Sequence, residues 1–540
     1  MRNLFSLACL LGTCSLFAND SIQIRESQIP LLIDRTDNVL FRIRVDNHSK
    51  ELSELNSLQL QFDKKVKMKD VQAVKLFYAG TEAMSNNAQL RFSPTDYLSR
   101  DTPRNTRIAN RTYSVLKDSI ANPGKKIILE GNQKLFPGVN YFWVSLQMKP
   151  NAELTQVINS EVTGITIDGK NKPFFYNQKQ TDRRLGVGVR HAGDDQAAAF
   201  RIPGFVTSNA GTLLGVYDVR YNSSVDLQEH IDIGLSRSTD KGQTWEPMRI
   251  IMDMGEYNGL PEAQNGVGDP GILVDEKTGT IWVIAAWTHG EGNARSWWNS
   301  NQGMSPEETA QLLLVRSDDD GKTWSKPINI TSQVKDPSWY FLLQGPGRGI
   351  SMKNGNLVFP IQYIDSTRVP NAGIMYSEDH GENWKIHELA RTNTTEAQVA
   401  ETEPGVLMLN MRDNRGGSRA VSTTTDYGKT WSEHPSSRSA LQEPVCMASL
   451  IHVDAKENVL GKDLLIFSNP NSTKHRKDMT IKISEDGGLT WPYELLIDEG
   501  YSWGYSCLSM VDKETVGIFY EGSPSHMTYQ SVKLKDIVKK

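Results

Sequence analysis

Cysteine and net charge are both scarce in this chain of 540 residues. Its four cysteines form no cluster with histidines at the spacing of a zinc site. Two of them, Cys446 and Cys507, could pair in an exported protein, and spacing alone leaves that pairing open. The formal net charge of −5 argues against nucleic acid as a partner. It does not exclude a small acidic ligand, because local arginines can override a weak global charge.

Long apolar runs are also missing from most of the sequence. No stretch after residue 18 reaches the roughly 18 apolar residues that a membrane span needs. Arg2, the apolar residues from Leu4 to Phe17, and Ala18 predict a signal peptide at residues 1–18. A lipoprotein signal with Cys14 as the lipid-bearing residue is the alternative. Both predict export, to the periplasm, the outer membrane surface or the medium.

What the sequence does contain is a pattern, Ser-x-Asp-x-Gly-x-Thr-Trp, in five copies. Complete copies occupy 238–245, 317–324 and 484–491, whereas 377–384 has Asn383 for Thr and 424–431 has Thr424 for Ser. Ser and Asp side chains bond backbone N–H groups in tight turns, and Gly permits positive φ there. We therefore interpret the five aspartates as structural, against the alternative of five metal or sugar sites. They are assigned as Asp240, Asp320, Asp379, Asp426 and Asp486.

The spacing of the copies predicts the fold. Each gap has room for about four short strands with their turns. A repeat with strand-rich spacers is typical of a β-propeller, which we place at residues 185–540. Between residues 255 and 305 lies an insertion-like stretch with Trp287, His289, Trp297 and Trp298. These aromatic residues could wall a binding site or close a loop core.

Residues 19–180 carry no copy of the pattern and alternate like strands instead. Phe142, Val144 and Leu146 point one way, which predicts a β-sandwich ahead of the propeller. The polar stretch from Gly169 to Gln180 is the predicted linker. The sandwich is either a spacing module or a carbohydrate-binding module, since Tyr141 and Trp143 could offer their faces to sugars. We expect it to be dispensable for cleavage of small substrates.

Several charged residues stand where chemistry is plausible. Arg201 lies in Phe-Arg-Ile-Pro at a predicted strand start, where burial is costly without an anionic partner. Arg412 and Arg476 lie in other blade segments, and propeller blades converge on an axis where distant arginines can meet. Acidic residues and a tyrosine accompany them: Asp226, Glu396, Glu521 and Tyr505.

Together these motifs resemble the bacterial exo-α-sialidases, or neuraminidases, over roughly residues 185–535. The resemblance rests on Phe-Arg-Ile-Pro, the five repeats, Glu-Ala-Gln-Val, Asn-Met-Arg and Tyr-Ser-Cys-Leu, in the family's order. It implies an all-β protein with a six-bladed propeller after the β-sandwich. It also implies sialylated glycans as partners: glycoproteins, gangliosides and sialyl oligosaccharides. Because the sequence has no cluster of metal ligands, we also expect no cofactor or metal.

The resemblance also implies a role for each candidate residue. Arg201, Arg412 and Arg476 resemble the three arginines that clamp the carboxylate of sialic acid, and a planar guanidinium fork suits that task. Arg415 and Arg419 near Arg412, and Lys474 and Lys477 near Arg476, match less well. The remaining roles are Glu521 as the acid that holds the first arginine, Arg220 as a further arginine near the substrate, Asp226 as acid/base, Tyr505 as nucleophile and Glu396 as its base.

These residue types suit a substrate with a carboxylate on its anomeric carbon. A carboxylate nucleophile would be repelled by that charge, whereas a neutral phenol would not, and sialidases with a Tyr nucleophile depart from the usual pair of carboxylates. A trans-sialidase or an anhydro-forming sialidase shares the same core residues. A propeller lectin would be expected to lack Tyr505, Glu396 or Asp226, and an unrelated propeller would lack the three arginines.

Overall fold

A computed structural model describes residues 21–48, 51–81, 114–178, 182–292 and 294–539. The predicted signal at residues 1–18, with Cys9 and Cys14, lies outside these ranges. Strands dominate, and the α-helices of the described chain are single turns: α1 (Ser296–Asn299), α2 (Thr331–Val334) and α3 (Leu534–Ile537). None of the helices in these ranges has the length and apolar character to cross a membrane.

The first part of the chain forms two sheets. Its strands are β1 (Ser21–Arg25), β2 (Leu31–Leu32), β3 (Asn38–Asn47), β4 (Ser53–Phe62), β5 (Val71–Thr81), β6 (Val115–Ala121), β7 (Lys126–Leu135), β8 (Gly138–Met148), β9 (Val157–Ile158), β10 (Ser160–Ile167), β11 (Lys170–Asn171) and β12 (Phe175–Gln178). One sheet has the order β12-β1-β3-β8-β5-β6 and the other β11-β10-β4-β7. Apolar side chains of both sheets meet in one core, which includes Phe142, Val144 and Leu146 as predicted.

Two expectations about this part are wrong. Trp143 and Tyr141 are 1% and 7% exposed, and Trp143 stacks on Phe77 with 4.2 Å between ring centroids, so neither ring offers a face to a sugar. The reason is that β8 is a central strand whose second face is also covered, by Val39 and Ala79 among others. The predicted linker is likewise not free chain, because β11 pairs with β10 and β12 pairs with β1.

The rest of the chain forms six larger sheets. Its strands, in chain order, are β13 (Arg183–Arg190), β14 (Ala199–Thr207), β15 (Leu213–Arg220), β16 (Ile231–Ser238), β17 (Arg249–Met252), β18 (Val267–Val274), β19 (Ile281–Trp287), β20 (Gln311–Ser317), β21 (Ile328–Asn329), β22 (Phe341–Gln344), β23 (Gly347–Arg348), β24 (Ile350–Ser351), β25 (Leu357–Ile364), β26 (Pro370–Ser377), β27 (Lys385–Ile386), β28 (Arg391–Thr392), β29 (Thr394–Glu403), β30 (Val406–Asp413), β31 (Gly417–Ser418), β32 (Ala420–Thr424), β33 (Ser432–Glu433), β34 (Gln442–Glu443), β35 (Ser449–Val453), β36 (Leu464–Pro470), β37 (Met479–Ser484), β38 (Tyr493–Asp498), β39 (Ser506–Asp512), β40 (Thr515–Tyr520) and β41 (Met527–Lys533).

These sheets follow one another along the chain. Their orders are β14-β15-β16-β17, then β21-β20-β19-β18-β23, then β22-β25-β26-β27 with β24 and β28 attached, then β29-β30-β32-β33, then β35-β36-β37-β38; the sixth, β2-β13-β41-β40-β39, joins the two parts of the chain. The strands β14, β18, β22, β24, β29, β35 and β39 are here called leading strands. Leading strands of neighbouring sheets contact each other: β14 with β18, β18 with β22 and β24, β24 with β29, β29 with β35, β35 with β39, and β39 with β14. The loops before these strands therefore come together at one end.

Strand β13 ties the two parts of the chain together. It pairs with β41 on one side and with β2 and β9 on the other. Arg183, at its start, is fully buried and contacts Ser160 and Glu26 of the first part, at 3.1 and 3.8 Å. A single hydrophobic core also runs from residues such as Ile24 to Tyr529. The first part is therefore packed into the rest.

The repeated turns form as their side chains predict. In the copy at 317–324, Gly321 N donates to Ser317 Oγ at 2.9 Å, and Thr323 donates to Asp319 from its N and its Oγ1 at 2.8 and 2.7 Å. The assignment of Asp320 to this turn is wrong by one position, because Asp319 makes these bonds. Asp320 instead accepts hydrogen bonds from Thr212 and Arg237.

The two imperfect copies form the same turn. Asn383 replaces the Thr hydroxyl by donating from Nδ2 to Asp379 Oδ2 at 2.7 Å. Thr424 Oγ1 replaces the Ser hydroxyl and accepts from Gly428 N at 3.0 Å. Because each aspartate of the repeat accepts hydrogen bonds within its own turn, its presence is explained without a bound metal or sugar.

Candidate active site

A cavity of about 600 Å³ opens at the end where the leading strands begin. Six of the eight predicted site residues line it: Arg201, Asp226, Glu396, Arg412, Arg476 and Tyr505. They come from four sheets or their loops, which explains why their sequence separations are so large. The other two predicted residues, Arg220 and Glu521, lie behind the wall and contact the lining residues.

Glu521 follows β40 and holds two parts of the cavity in place. It is completely buried and accepts hydrogen bonds from Arg201 Nε at 2.6 Å, Ile202 N at 3.1 Å and Tyr505 N at 2.9 Å. A buried carboxylate is tolerated when it is paired and hydrogen-bonded in this way. One side chain thus fixes both Arg201, in β14, and the backbone of Tyr505, just before β39.

Tyr505, Glu396 and Arg412 form a hydrogen-bonded group in the cavity. The phenol of Tyr505 donates a short hydrogen bond to Glu396 Oε1. Arg412 NH1 donates to Glu396 Oε2 at 2.5 Å and lies 3.3 Å from Tyr505 Oη. Glu396 is the third residue of β29, and Arg412 lies on the paired strand β30. Hydrogen bonds between charged groups are the strong ones, so this geometry is well defined.

Burial and the charge of Glu396 raise the pKa of Tyr505 well above its ordinary value, against the opposing effect of Arg412 and Arg476. The residue is 5% exposed. Arg201 and Arg476 carry their guanidinium carbons 5.6 and 5.8 Å from the centre of its ring. Tyr505 is therefore a neutral phenol, with the carboxyl group of Glu396 on its hydroxyl and guanidinium groups around its ring.

The third arginine of the cavity, Arg476, is held by backbone carbonyls. It donates from NH1 to Trp503 O and from NH2 to Val445 O, each at 3.0 Å. The arginines near Arg412 are engaged elsewhere: Arg419 is buried on Glu443 at 2.8 Å and Arg415 bonds Asp413 at 3.2 Å. Arg201, Arg412 and Arg476 are therefore the arginines of the predicted trio that face one cavity.

Asp226 stands on the loop between β15 and β16, and its side chain is 53% exposed. Arg220 NH1 donates to Asp226 Oδ1 at 2.8 Å, while Arg201 lies 3.8 Å and Arg295 4.0 Å away. Partial burial disfavours the charge of Asp226, but Arg220 and Arg201 outweigh it and lower its pKa to about 2. Asp226 is therefore a carboxylate at neutral pH in this structure.

Arg220 is itself fixed by a second aspartate. It donates from Nε and NH2 to Asp218 Oδ2 at 3.0 and 2.7 Å, and both residues are 1% exposed. Burial raises the pKa of Asp218 to about 6 in spite of the pairing with Arg220. This pair orients Arg220 towards Asp226.

The sequence reasoning missed Asp269, which lines the cavity. Its φ of +60° is unusual for a residue other than glycine, and Asp is one of the residues that tolerate it. Burial and the neighbouring Asp218 raise its pKa well above the ordinary value. The available signal was the Gly-Asp-Pro step at 268–270, which lies in the stretch interpreted as insertion-like but belongs to β18 in the structure, since such strained positions cluster at functional sites.

In the stretch 255–305, some aromatic residues wall the cavity and others close a loop core. Trp297, Trp298 and Arg295 line the cavity, with Trp298 69% exposed. Trp287 is 3% exposed and packs against Tyr257, with His289 beside both, so these residues close a loop core.

Neither cysteine of the described chain is paired. Cys446 and Cys507 are both buried free thiols. Of the described residues, one group has metal-ligating atoms close enough to share an ion: His452, Asp454 and Asp463. It is not among the residues that line the cavity.

Comparison with known proteins identifies the family. Residues 19–171 match the model for the N-terminal domain of BNR-repeat neuraminidase, and residues 220–519 match the BNR repeat-like domain. A sialidase of Bacteroides fragilis is 64% identical over 540 residues, which is 99% of each chain. This chain belongs to the sialidase family.

Two further relatives support this conclusion. The structure of the Hadza microbial sialidase Hz136 is 61% identical, with a TM-score of 0.91 over 96% of this chain and 100% of that one. A sialidase of Micromonospora viridifaciens is 31% identical over 67% of this chain and 54% of its own length. The sialidase described here is therefore an enzyme of the glycoside hydrolase class, and its arginine-lined cavity is the candidate active site.

Proposed function

We propose that this sialidase removes terminal α-linked sialic acids from glycoproteins, glycolipids and oligosaccharides, with retention of configuration and with Tyr505 as nucleophile. The observation that carries the proposal is the hydrogen bond from Tyr505 Oη to Glu396, inside a ring of three guanidinium groups. A phenol paired with a base and surrounded by cations suits attack on a carbon that already carries a carboxylate.

Arg201, Arg412 and Arg476 bind the substrate carboxylate in this proposal. Each is fixed from behind, by Glu521, Glu396 and backbone carbonyls respectively, so that little freedom is lost when the ligand arrives. Glu521 and Glu396 neutralise part of the positive charge of the three arginines, and the substrate carboxylate neutralises the rest. The cavity is then selective for sugars with a carboxylate at the anomeric carbon.

Attack by Tyr505 needs loss of its proton, because its pKa is raised. Glu396 accepts that proton along the existing hydrogen bond while the tyrosyl oxygen bonds to the anomeric carbon and the glycosidic bond breaks. Arg412 donates to the carboxylate of Glu396 and to the phenol oxygen of Tyr505, and it stabilises the negative charge as it moves from one to the other. The product of this step is a sialosyl-tyrosine.

Asp226 acts as general acid and then as general base. It must gain a proton when substrate binds, because its pKa of about 2 leaves it ionised in the empty cavity. The substrate carboxylate offsets Arg201 and the sugar displaces water, and both changes raise the pKa of Asp226. It then protonates the leaving oxygen, and afterwards takes a proton from the water that attacks the intermediate.

Asp269 extends the proposed site beyond the residues expected from sequence. A carboxyl group with a raised pKa stays protonated more readily and can donate a hydrogen bond. We assign it to a hydroxyl or amide oxygen of the bound sugar, while Trp297 and Trp298 supply apolar surface. The transfer of sialic acid to another sugar, or to a hydroxyl of its own ring, remains the alternative outcome for the same intermediate.

For the fold we propose a six-bladed propeller over 185–540 and a β-sandwich over 19–180, after a signal at 1–18 that exports the enzyme. The cyclic contacts of the leading strands and the five repeated turns support the propeller. The pairing of β13 with β41 supports a closed propeller, because the first strand of the propeller segment then completes the last blade. A shared core between two sheets supports the sandwich.

Proton NMR of the reaction with sialyllactose tests the proposed function. The protein should release free sialic acid, first as the α anomer, in the presence of a chelator. The β anomer as first product would contradict retention and with it the nucleophile. Sialic acid transferred to lactose, or an anhydro sugar as the main product, would favour the alternative outcomes.

A further inference from the structure

A second depression, of about 410 Å³, adjoins the active-site cavity. Arg412 and Arg476 line both, so the depression begins where the proposed carboxylate site ends. Its other walls include Val445, Lys474 and Tyr501. The arrangement places a further binding surface within reach of any group attached to the bound sialic acid.

Lys474 gives this depression its charge. It is exposed, and in the described part of the chain no carboxylate oxygen lies within ion-pair distance of its ammonium group. The neighbouring Lys477 differs, because it pairs with Asp478 at 3.1 Å. The loop is held in shape by Ser472, whose hydroxyl accepts from Lys474 N at 3.2 Å and His475 N at 3.1 Å. Lys474 is therefore a cation on an ordered loop.

Tyr501 supplies the apolar wall. Its ring is partly exposed and meets His475 edge-on, with 5.9 Å between the ring centroids. An aromatic face beside a few polar groups is typical of a site for a small ligand. A sugar that carries a negative group could rest on this ring and pair with Lys474.

The position also suits the leaving group of the reaction. In a sialoside, the carboxylate and the glycosidic oxygen are on the same carbon. A carboxylate held by Arg412 and Arg476 therefore keeps the attached sugar close to both arginines and to the depression beyond them.

We propose that Lys474 and Tyr501, with His475, form a leaving-group subsite that favours sialosides whose next sugar is anionic. The negative group is the carboxylate of a second sialic acid or a sulfate ester. This inference rests on the proposed function. Lys474 is a specificity residue here, and the cleavage of neutral substrates does not depend on it.

The test compares kcat/KM of the full-length enzyme and its Lys474→Gln and Lys474→Glu variants on three substrates: α2,8-linked disialyllactose, a sulfated sialyl-oligosaccharide and neutral sialyllactose. Lys474→Gln should lower kcat/KM on the anionic substrates by roughly two- to fivefold, as expected for a partly exposed ion pair. Lys474→Glu should lower it further, because attraction becomes repulsion. On sialyllactose both variants should stay within about twofold of the unmodified enzyme.

Lys429→Gln is the matched control, since it removes an exposed charge from a repeated turn outside both cavities. The preference of the unmodified enzyme for anionic substrates should also weaken as salt rises, because screening weakens exposed pairs. A loss of kcat/KM only on disialyllactose would identify a carboxylate as the natural negative group, and a loss only on the sulfated substrate would identify a sulfate ester.

Equal losses on neutral and anionic substrates, or no loss on either anionic substrate, would overturn the subsite. Failure of the unmodified enzyme to cleave any sialoside would contradict the proposed function instead. In that case, calorimetric titration of disialyllactose into the unmodified protein and Lys474→Gln would still decide the subsite, since equal affinities would refute it.

Discussion

At the scale of single residues, Glu521 shows how the site is organised. Its two oxygens hold the side chain of Arg201, the backbone of Ile202 and the backbone of Tyr505, at a point with no solvent exposure. Loss of one member of such a buried pair leaves an uncompensated charge, which costs about 3–5 kcal/mol. In the proposed function, substrate capture and the position of the nucleophile therefore depend on one carboxylate that does not line the cavity.

The proposed acid role of Asp226 should matter more for some substrates than for others. We predict that Asp226→Ala lowers kcat/KM on sialyllactose by about 10²–10⁴-fold, the usual contribution of a general acid. On an aryl sialoside the loss should stay within about tenfold, because a phenolate leaves without a proton. Steady-state kinetics on the two substrates measure the difference.

Glu256→Ala, at an exposed carboxylate that does not line the cavity, controls for a general effect of charge removal. Equal losses of Asp226→Ala on both substrates would show that Asp226 does not protonate the leaving group.

At the scale of elements, the repeated turns are local structures, which is why their sequence predicts them. Each one closes through hydrogen bonds between residues two to four positions apart, as in Ser317, Asp319 and Thr323. They join two strands at one edge of a sheet, as between β16 and β17. The cavity residues instead lie in or just before leading strands such as β14 and β29, or near loops such as that between β15 and β16. Stability and chemistry therefore occupy different parts of each sheet.

We predict that Asp319→Ala destabilises the protein by about 1–3 kcal/mol and leaves kcat unchanged. The substitution leaves the N–H groups of Lys322 and Thr323 without the acceptor they have in the turn. Thermal unfolding of Asp319→Ala and of the neighbouring Asp318→Ala measures the effect. Asp318 is 62% exposed and accepts from Thr280 Oγ1 at 2.8 Å instead of from the N–H groups of the turn, so its removal should cost less, about 0.5 kcal/mol.

A fall in melting temperature on adding a chelator that occurs in the unmodified protein but not in Asp319→Ala would instead indicate a metal in this turn. Equal destabilisation by both substitutions would contradict the assignment of Asp319.

The same contrast between local and distant contacts explains what the sequence could predict. Arg201, Glu396 and Tyr505 stand in recognisable motifs, and the cavity brings them together. Trp143 was expected to face a sugar because alternation describes only one face of a strand, whereas Phe77 and Val39 from other strands cover the second face. Asp269 was missed because its position in the cavity depends on contacts with distant residues such as Asp218.

At the scale of the whole molecule, the two parts of the chain share a core and a sheet. Strand β13 carries strands of the first part on one edge and β41 on the other. Removal of residues 21–178 would strip Arg183 of its contacts with Ser160 and Glu26 and expose apolar surface that is now covered. The expectation that the first part is dispensable therefore meets a structural obstacle.

We predict that a chain starting at residue 182 is much less stable than the full protein, or insoluble, and that the full protein unfolds in one transition. Differential scanning calorimetry and solubility measure this directly. Any folded fraction should retain activity on an aryl sialoside, because the proposed catalytic residues all follow residue 182. A soluble short chain with an unchanged melting temperature would show that the shared core adds no stability.

The proposed covalent intermediate on Tyr505 is the central claim, and mass spectrometry after inactivation with a fluorinated sialosyl fluoride tests it most directly. The label should appear on the peptide that contains Tyr505, and Tyr505→Phe should bind the reagent without being labelled. A label on Glu396 or Asp226, or full activity in Tyr505→Phe, would contradict the account.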